Sequence, residues 1–180
     1  MEPRTKFSPT NTQRRKITMQ HALTLNHFVC SYAHQLAQGI EEAQLDDIAA
    51  PGMNSPRWVY GHLVMVSNLG LQLLDRPIGC PEAWMKGYGP GSDPTQPPEP
   101  RLSLAETLEL FDSGHVALRE AIAAMTPEQV ASPSPFAPAA ALIPTLGDLA
   151  AHLLTTHPML HLGQLSAWRR LRGLPPVLGF

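Results

Sequence analysis

Residues 103–125 read SLAETLELFDSGHVALREAIAAM. In this stretch Leu104, Leu108, Phe111, His115, Leu118, Ile122 and Met125 recur at intervals of three and four, the spacing of a helix that buries one face. Ser103 stands where an N-cap belongs, and Glu106 three residues on completes a capping box. A stripe this regular predicts the seam of a helical bundle.

Three other stretches nearly free of proline have similar stripes. Residues 17–44 place Leu25, Phe28, Tyr32, Leu36 and Ile40 at helical spacing. A second helix is predicted from Asn54-Ser55-Pro56, an N-cap with proline at the first helical position, and its stripe is Trp58, His62, Met65, Val66, Leu69 and Leu73. The last helix is predicted from Thr145, capped with Asp148, to Leu171 or Arg172; Gly173 then ends it, and Arg169, Arg170 and Arg172 suit the negative end of its dipole. No run alternates as a strand does. The expected fold is all-α, a four-helix bundle with a long crossover loop between its second and third helices. That loop, PIGCPEAWMKGYGPGSDPTQPPEP, is long enough to cross the bundle, so the helices it joins are expected to run parallel. Trp84 and Tyr88 within it are placed to cover one end as a lid, or simply to ride on a passive crossover.

The 180 residues suit one domain, expected at 17–180 behind a flexible N-terminal tail at 1–16 that carries the basic run Arg14-Arg15-Lys16. A net charge of −2 argues against a nucleic-acid surface. No apolar run reaches membrane-spanning length and no signal-peptide core opens the chain, so a cytoplasmic location without a membrane partner is expected. Cys30 and Cys80 form no CxxC pattern. Cys30 reads as a small core residue, and Cys80, in a loop, as a candidate reactive thiol.

Helical phase sorts the histidines. His62 lies in the middle of the second helix's stripe and should face the interior. In HPMLHLGQL, residues 157–165, His157 and His161 are about 40° apart and Gln164 returns to within about 20° of His157. His152 lies about 140° from His157 on a regular helix, and His27 and His34 read as surface residues. His115, on the third helix's seam, reads first as a hydrogen-bonded core histidine. Three inward imidazoles on two helices each need a partner, and one divalent cation satisfies all three.

These residues also carry a resemblance. Trp58 four residues before the histidine of Gly61-His62-Leu63, the segment from His157 to Leu165 followed by RRLRGLPP, and the MTPEQ turn resemble the DinB-like (DinB/YfiT-like) proteins and, more distantly, the mycothiol-dependent maleylpyruvate isomerases. The resemblance covers about residues 18–177. It implies a bundle whose crossover follows the second helix, a zinc or nickel ion on His62, His157 and His161, and a homodimer. It further implies an enzyme that activates a low-molecular-weight thiol for S-transfer to a small electrophile, with metal-dependent hydrolysis as one alternative and a non-catalytic, stress-related bundle as another. Gln164, Trp58, His115, Trp84 and Tyr88 are candidates to support the ligands or line a substrate pocket; no catalytic residue is assigned. One departure stands out. Where the family commonly has glutamate after the first histidine, this chain has Pro158, which should bend the helix mainly ahead of itself and leave the two imidazoles convergent.

Overall fold

The computed structural model describes residues 11–178, with side chains from Met19 onward. Its helices are α1 (Asn11–Ala37), α2 (Pro56–Leu73), α3 (Glu82–Gly87), α4 (Leu104–Ala123), α5 (Pro127–Ala131), α6 (Leu146–Leu154) and α7 (Thr156–Leu171), with 3-10 turns at Glu42–Gln44 and Ala137–Ala139. Among the described residues there is no strand, only an isolated bridge between Pro133 and Thr145. None of the described helices is long and apolar enough to cross a membrane.

The helix starts follow the expected local chemistry. Ser55 Oγ accepts the Trp58 N–H ahead of Pro56. Ser103 and Glu106 satisfy one another's backbone N–H groups, as do Thr145 and Asp148 and, at the short α5, Thr126 and Gln129. At the other end of α7 the Gly173 N–H reaches Arg170 O and the Leu174 N–H reaches Arg169 O, with Gly173 at a φ of 71°. Glycine suits that left-handed position because it has no Cβ to clash.

Side-chain register fixes the directions. Gly114 lies against Ser67 and Asn68, and Gly70 against Leu118, so α2 and α4 run parallel. Such a pair needs a long connection, and residues 74–103, which carry α3, supply it. Asn26 meets His115 while His34 meets Asp112, which makes α1 antiparallel to α4. Asn54 meets Gln164 and Trp58 meets His161, which makes α2 antiparallel to α7. The main helices therefore form an up-down-down-up bundle. Its centre is α2, buried on almost every face from Pro56 to Leu71.

Four expectations change. First, α1 begins at Asn11 and ends at Ala37, so residues 11–16 belong to the helix; the part of the expected tail at 1–10 lies outside the described residues. Second, only the later part of the α1 stripe is buried: Tyr32, Leu36 and Ile40 face the core as expected, but Leu25 is 54% and Phe28 45% exposed, and Met19, Ala22, Asn26, Val29 and Ala33 take the core positions instead. Third, the last helix is two helices. Thr155, at φ −130° and ψ −76°, breaks it three residues ahead of Pro158. The bend thus falls ahead of Pro158 as expected, and the proline sits in the first turn of α7, where it costs no bond within α7 and leaves only Leu154 O of α6 without a backbone donor. Fourth, two of the three arginines, Arg169 and Arg172, are engaged with other parts of the chain. Arg169 is buried and donates to the carbonyls of Leu36, Gln38 and Pro175, tying the C-terminal end of α1, and Arg172 forms an ion pair with Asp47.

Candidate metal centre

Three elements build the centre: the first half of α2, the first turns of α7, and the backbone of the crossover just after α3. Ring centroids of His62 lie 5.2 Å from His157 and 4.4 Å from His161, and those two lie 4.8 Å apart. One ring nitrogen from each of the three falls within 4.8 Å of the others, a group that could hold a metal ion.

Two of the rings are oriented from behind. The His62 Nδ1–H donates to the carbonyl of Tyr88 at 2.6 Å, which turns the Nε2 lone pair inward. The His161 Nδ1–H donates to Gln164 Oε1 at 3.3 Å, and Gln164 is itself held by the Asn54 amide at 3.1 Å. Trp58 stacks on His62 with centroids 4.6 Å apart and planes 9° from parallel; its indole N–H donates to Ser92 Oγ of the crossover at 2.9 Å.

The third ring tests whether a cation fits. His157 Nε2 is 3.4 Å from His62 Nε2, and His157 Nδ1 is buried without a hydrogen-bond partner. If Nε2 of His157 carries its proton, Nδ1 is an unpaired buried acceptor. If Nδ1 carries it, two lone pairs face each other. A cation between them removes the repulsion, and two nitrogens on a tetrahedral zinc at about 2.0–2.1 Å are themselves about 3.3 Å apart. Protonation states agree. Burial lowers the pKa of His62 to about 4 and of His157 to about 3, and lowers that of His161 as well. All three imidazoles are therefore neutral at pH 7, the form that ligates a metal. The residues fit a three-histidine divalent site.

The family model of the DinB superfamily matches residues 28–165 of the 180, spanning both histidine segments. The chain belongs to the DinB superfamily. No curated protein matches it in sequence.

The other residues singled out in this DinB-superfamily chain have varied fates. Trp58 and Gln164 touch the histidines directly. Tyr88 acts through its backbone, while its ring lies on Gly61; a Cβ at Gly61 would come within 2.4 Å of Cζ. Trp84 is buried, edge-on to Tyr88, and bonds to Pro100 O. Neither aromatic is an exposed lid, because both rings are part of the core. His115 bonds to Asn26 and packs at a tilt against Phe111 instead of joining the cluster. Burial raises the pKa of both thiols: Cys30 is half-buried beside Arg119, and Cys80 is buried beside Met85, so Cys80 is not an activated nucleophile.

Sequence reasoning set His152 apart from the cluster, yet its ring is edge-on to His157 at 5.5 Å. The 140° separation presumed a continuous helix, and the break at Thr155 resets the phase. Asn54 and Ser92 were also missed. Both are loop residues, and no periodicity marks a loop residue that reaches a site.

Proposed function

We propose that this DinB-superfamily protein, acting as one domain from α1 onward, binds one divalent cation, zinc or nickel, through His62, His157 and His161. We further propose that it is an enzyme that activates a small thiol for transfer to an electrophile. The observation that carries this reading is the convergence of three neutral imidazoles, two of them with Nδ1–H groups already anchored on Tyr88 O and Gln164 Oε1. A divalent cation held by these three histidines would supply Lewis acidity that favours the thiolate form of a small thiol at neutral pH.

The protein's own part is to hold and shield. Tyr88 O and Gln164 fix ring orientation, and Trp58 covers one face of His62, excluding water from that side. His62 is buried while His157 and His161 are partly exposed, which favours substrate approach from the α7 side. Among the described residues no carboxylate bonds to any of the three histidines. Hydrolysis needs a proton acceptor for its water, whereas a thiol, with a pKa of about 8.5, needs only a modest shift to ionise at pH 7. This difference favours S-transfer over the hydrolase reading. The exposed Leu25 and Phe28 on α1 are compatible with a homodimer, and a cytoplasmic setting, rich in small thiols, suits the reaction.

The test is metal content after tag-free purification and exposure to zinc, nickel, manganese and iron, followed by thiol-transfer assays. Stoichiometric zinc or nickel is expected. His161→Ala should abolish transfer with the fold intact; a large loss of stability without any transfer activity in the wild type would mark a structural metal. Failure to take up any of the four ions would end the metal reading.

A further inference from the structure

Asn26 is fully buried on α1 and reaches three groups on other elements. Its Nδ2 donates to Leu154 O at 2.7 Å and to His115 Nδ1 at 3.1 Å, and its Oδ1 accepts from Arg119 Nη1 at 2.7 Å. Chemistry fixes the orientation of this amide: a carbonyl only accepts and a guanidinium only donates, so a flipped amide would break both bonds. Leu154 O is the carbonyl that the N–H of residue 158 would take in an unbroken α-helix, and Pro158 has no N–H. The α1 side chain thus replaces the one backbone donor that the proline removes, at the joint immediately ahead of His157.

We propose that Asn26 is a positioning residue for the histidine cluster, clamping the bend between α6 and α7 so that His157 is aimed at His62. This inference rests on the cluster being a metal centre. The break at Thr155 lies between the clamped carbonyl and His157, so the angle of the first turn of α7 is set by what holds Leu154. Slipping helical phase there by one residue turns a side chain by about 100°, enough to carry an imidazole out of the cluster. Arg119 and His115 hold the other two corners of the amide, so the joint is referenced to α4 as well as to α1.

A double-mutant cycle tests the clamp. Zinc affinity is measured by chelator competition for wild type, Asn26→Ser, Pro158→Ala and the double variant, with thermal unfolding of each metal-free protein alongside. Asn26→Ser should weaken zinc at least about tenfold in the wild-type background, the range seen when groups supporting metal ligands are removed. The same substitution should cost about twofold or less beside Pro158→Ala, where the introduced alanine returns an N–H to Leu154 O. Asn26→Asp, which keeps size and the Arg119 contact but loses both Nδ2 donors, serves if the serine variant does not fold, and should weaken zinc equally. Equal losses in both backgrounds, or no loss in the wild-type background, would overturn the proposal while leaving the metal centre standing. If wild-type protein takes up none of zinc, nickel, manganese and iron, the metal reading falls, and the cycle read from the metal-free unfolding midpoints decides the clamp on its own.

Discussion

The ring of Tyr88 rests on the backbone of Gly61, while the carbonyl of the same tyrosine accepts the Nδ1–H of the adjacent His62. A close approach that only glycine permits and a bond that orients a candidate ligand are therefore one contact. Gly61→Ala would set a Cβ within 2.4–2.7 Å of three Tyr88 ring atoms, and the ring is buried with little room to yield. Overpacking of this kind costs about 1–3 kcal/mol. A lower urea midpoint together with weaker zinc binding is expected; loss of stability with unchanged affinity would show that Tyr88 O does not hold His62.

Gln164 and Asn54 should affect the ion rather than the fold. Gln164 is exposed, so Gln164→Leu costs little stability, but it leaves the His161 Nδ1–H without its acceptor. Zinc affinity measured by competition should fall about tenfold, and Asn54→Ala should cause a smaller loss, because it removes only the group steadying the glutamine.

Acid should destabilise the metal-free protein earlier than its carboxylates alone would dictate. Burial lowers the folded-state pKa of His115 to about 3, against about 6.5 in an unfolded chain. The unfolded state therefore binds the proton first. The stabilising contribution is full above about pH 6.5 and is lost as pH falls toward 3, at no more than about 1.4 kcal/mol per pH unit for each such histidine. His62 and His157 shift in the same direction. Urea midpoints taken from pH 8 to pH 5 should fall steadily below about 6.5, and loading with zinc should move the onset to lower pH because protons must then displace the ion.

Arg169→Met separates stability from the site. It removes charge-assisted bonds to Leu36 O, Gln38 O and Pro175 O, and bonds of this class are worth about 1.5–3 kcal/mol each before compensation by water. Thermal unfolding should occur well below that of wild type, with zinc affinity unchanged once the protein is folded.

Much of the architecture was legible because helix signals are local. Ser103 with Glu106 and Ser55 with Pro56 mark their helix starts within a few residues, and the α4 seam needs nothing beyond its own spacing. The grouping of His62, His157 and His161 was legible in part: phase turns His62 inward, and i, i+4 spacing keeps His157 and His161 on one side of α7 despite the break at Thr155. What periodicity could not supply was tertiary. On α1, Leu25 and Phe28 compete with Ala22, Asn26 and Ala33 for the core, and the smaller, partly polar face is buried because it admits the close approach of α4 and α6. Asn26 is a surface residue by type, and its burial is explained only by its tertiary bonds to Leu154 O, His115 Nδ1 and Arg119 Nη1. Arg169 reads as a favourable charge at its own helix end, but two of the carbonyls it serves, Leu36 O and Gln38 O, lie at the end of α1, distant in sequence.

The parallel course of α1 and α7 has a practical consequence. Asn26 lies level with Leu154 and Leu36 with Arg169, so the start of α1 and the end of α7 point to opposite poles of the bundle. A helix the length of α1 spans about 40 Å. Labels placed at the start of α1 and at the end of α7 would therefore sit about a bundle length apart.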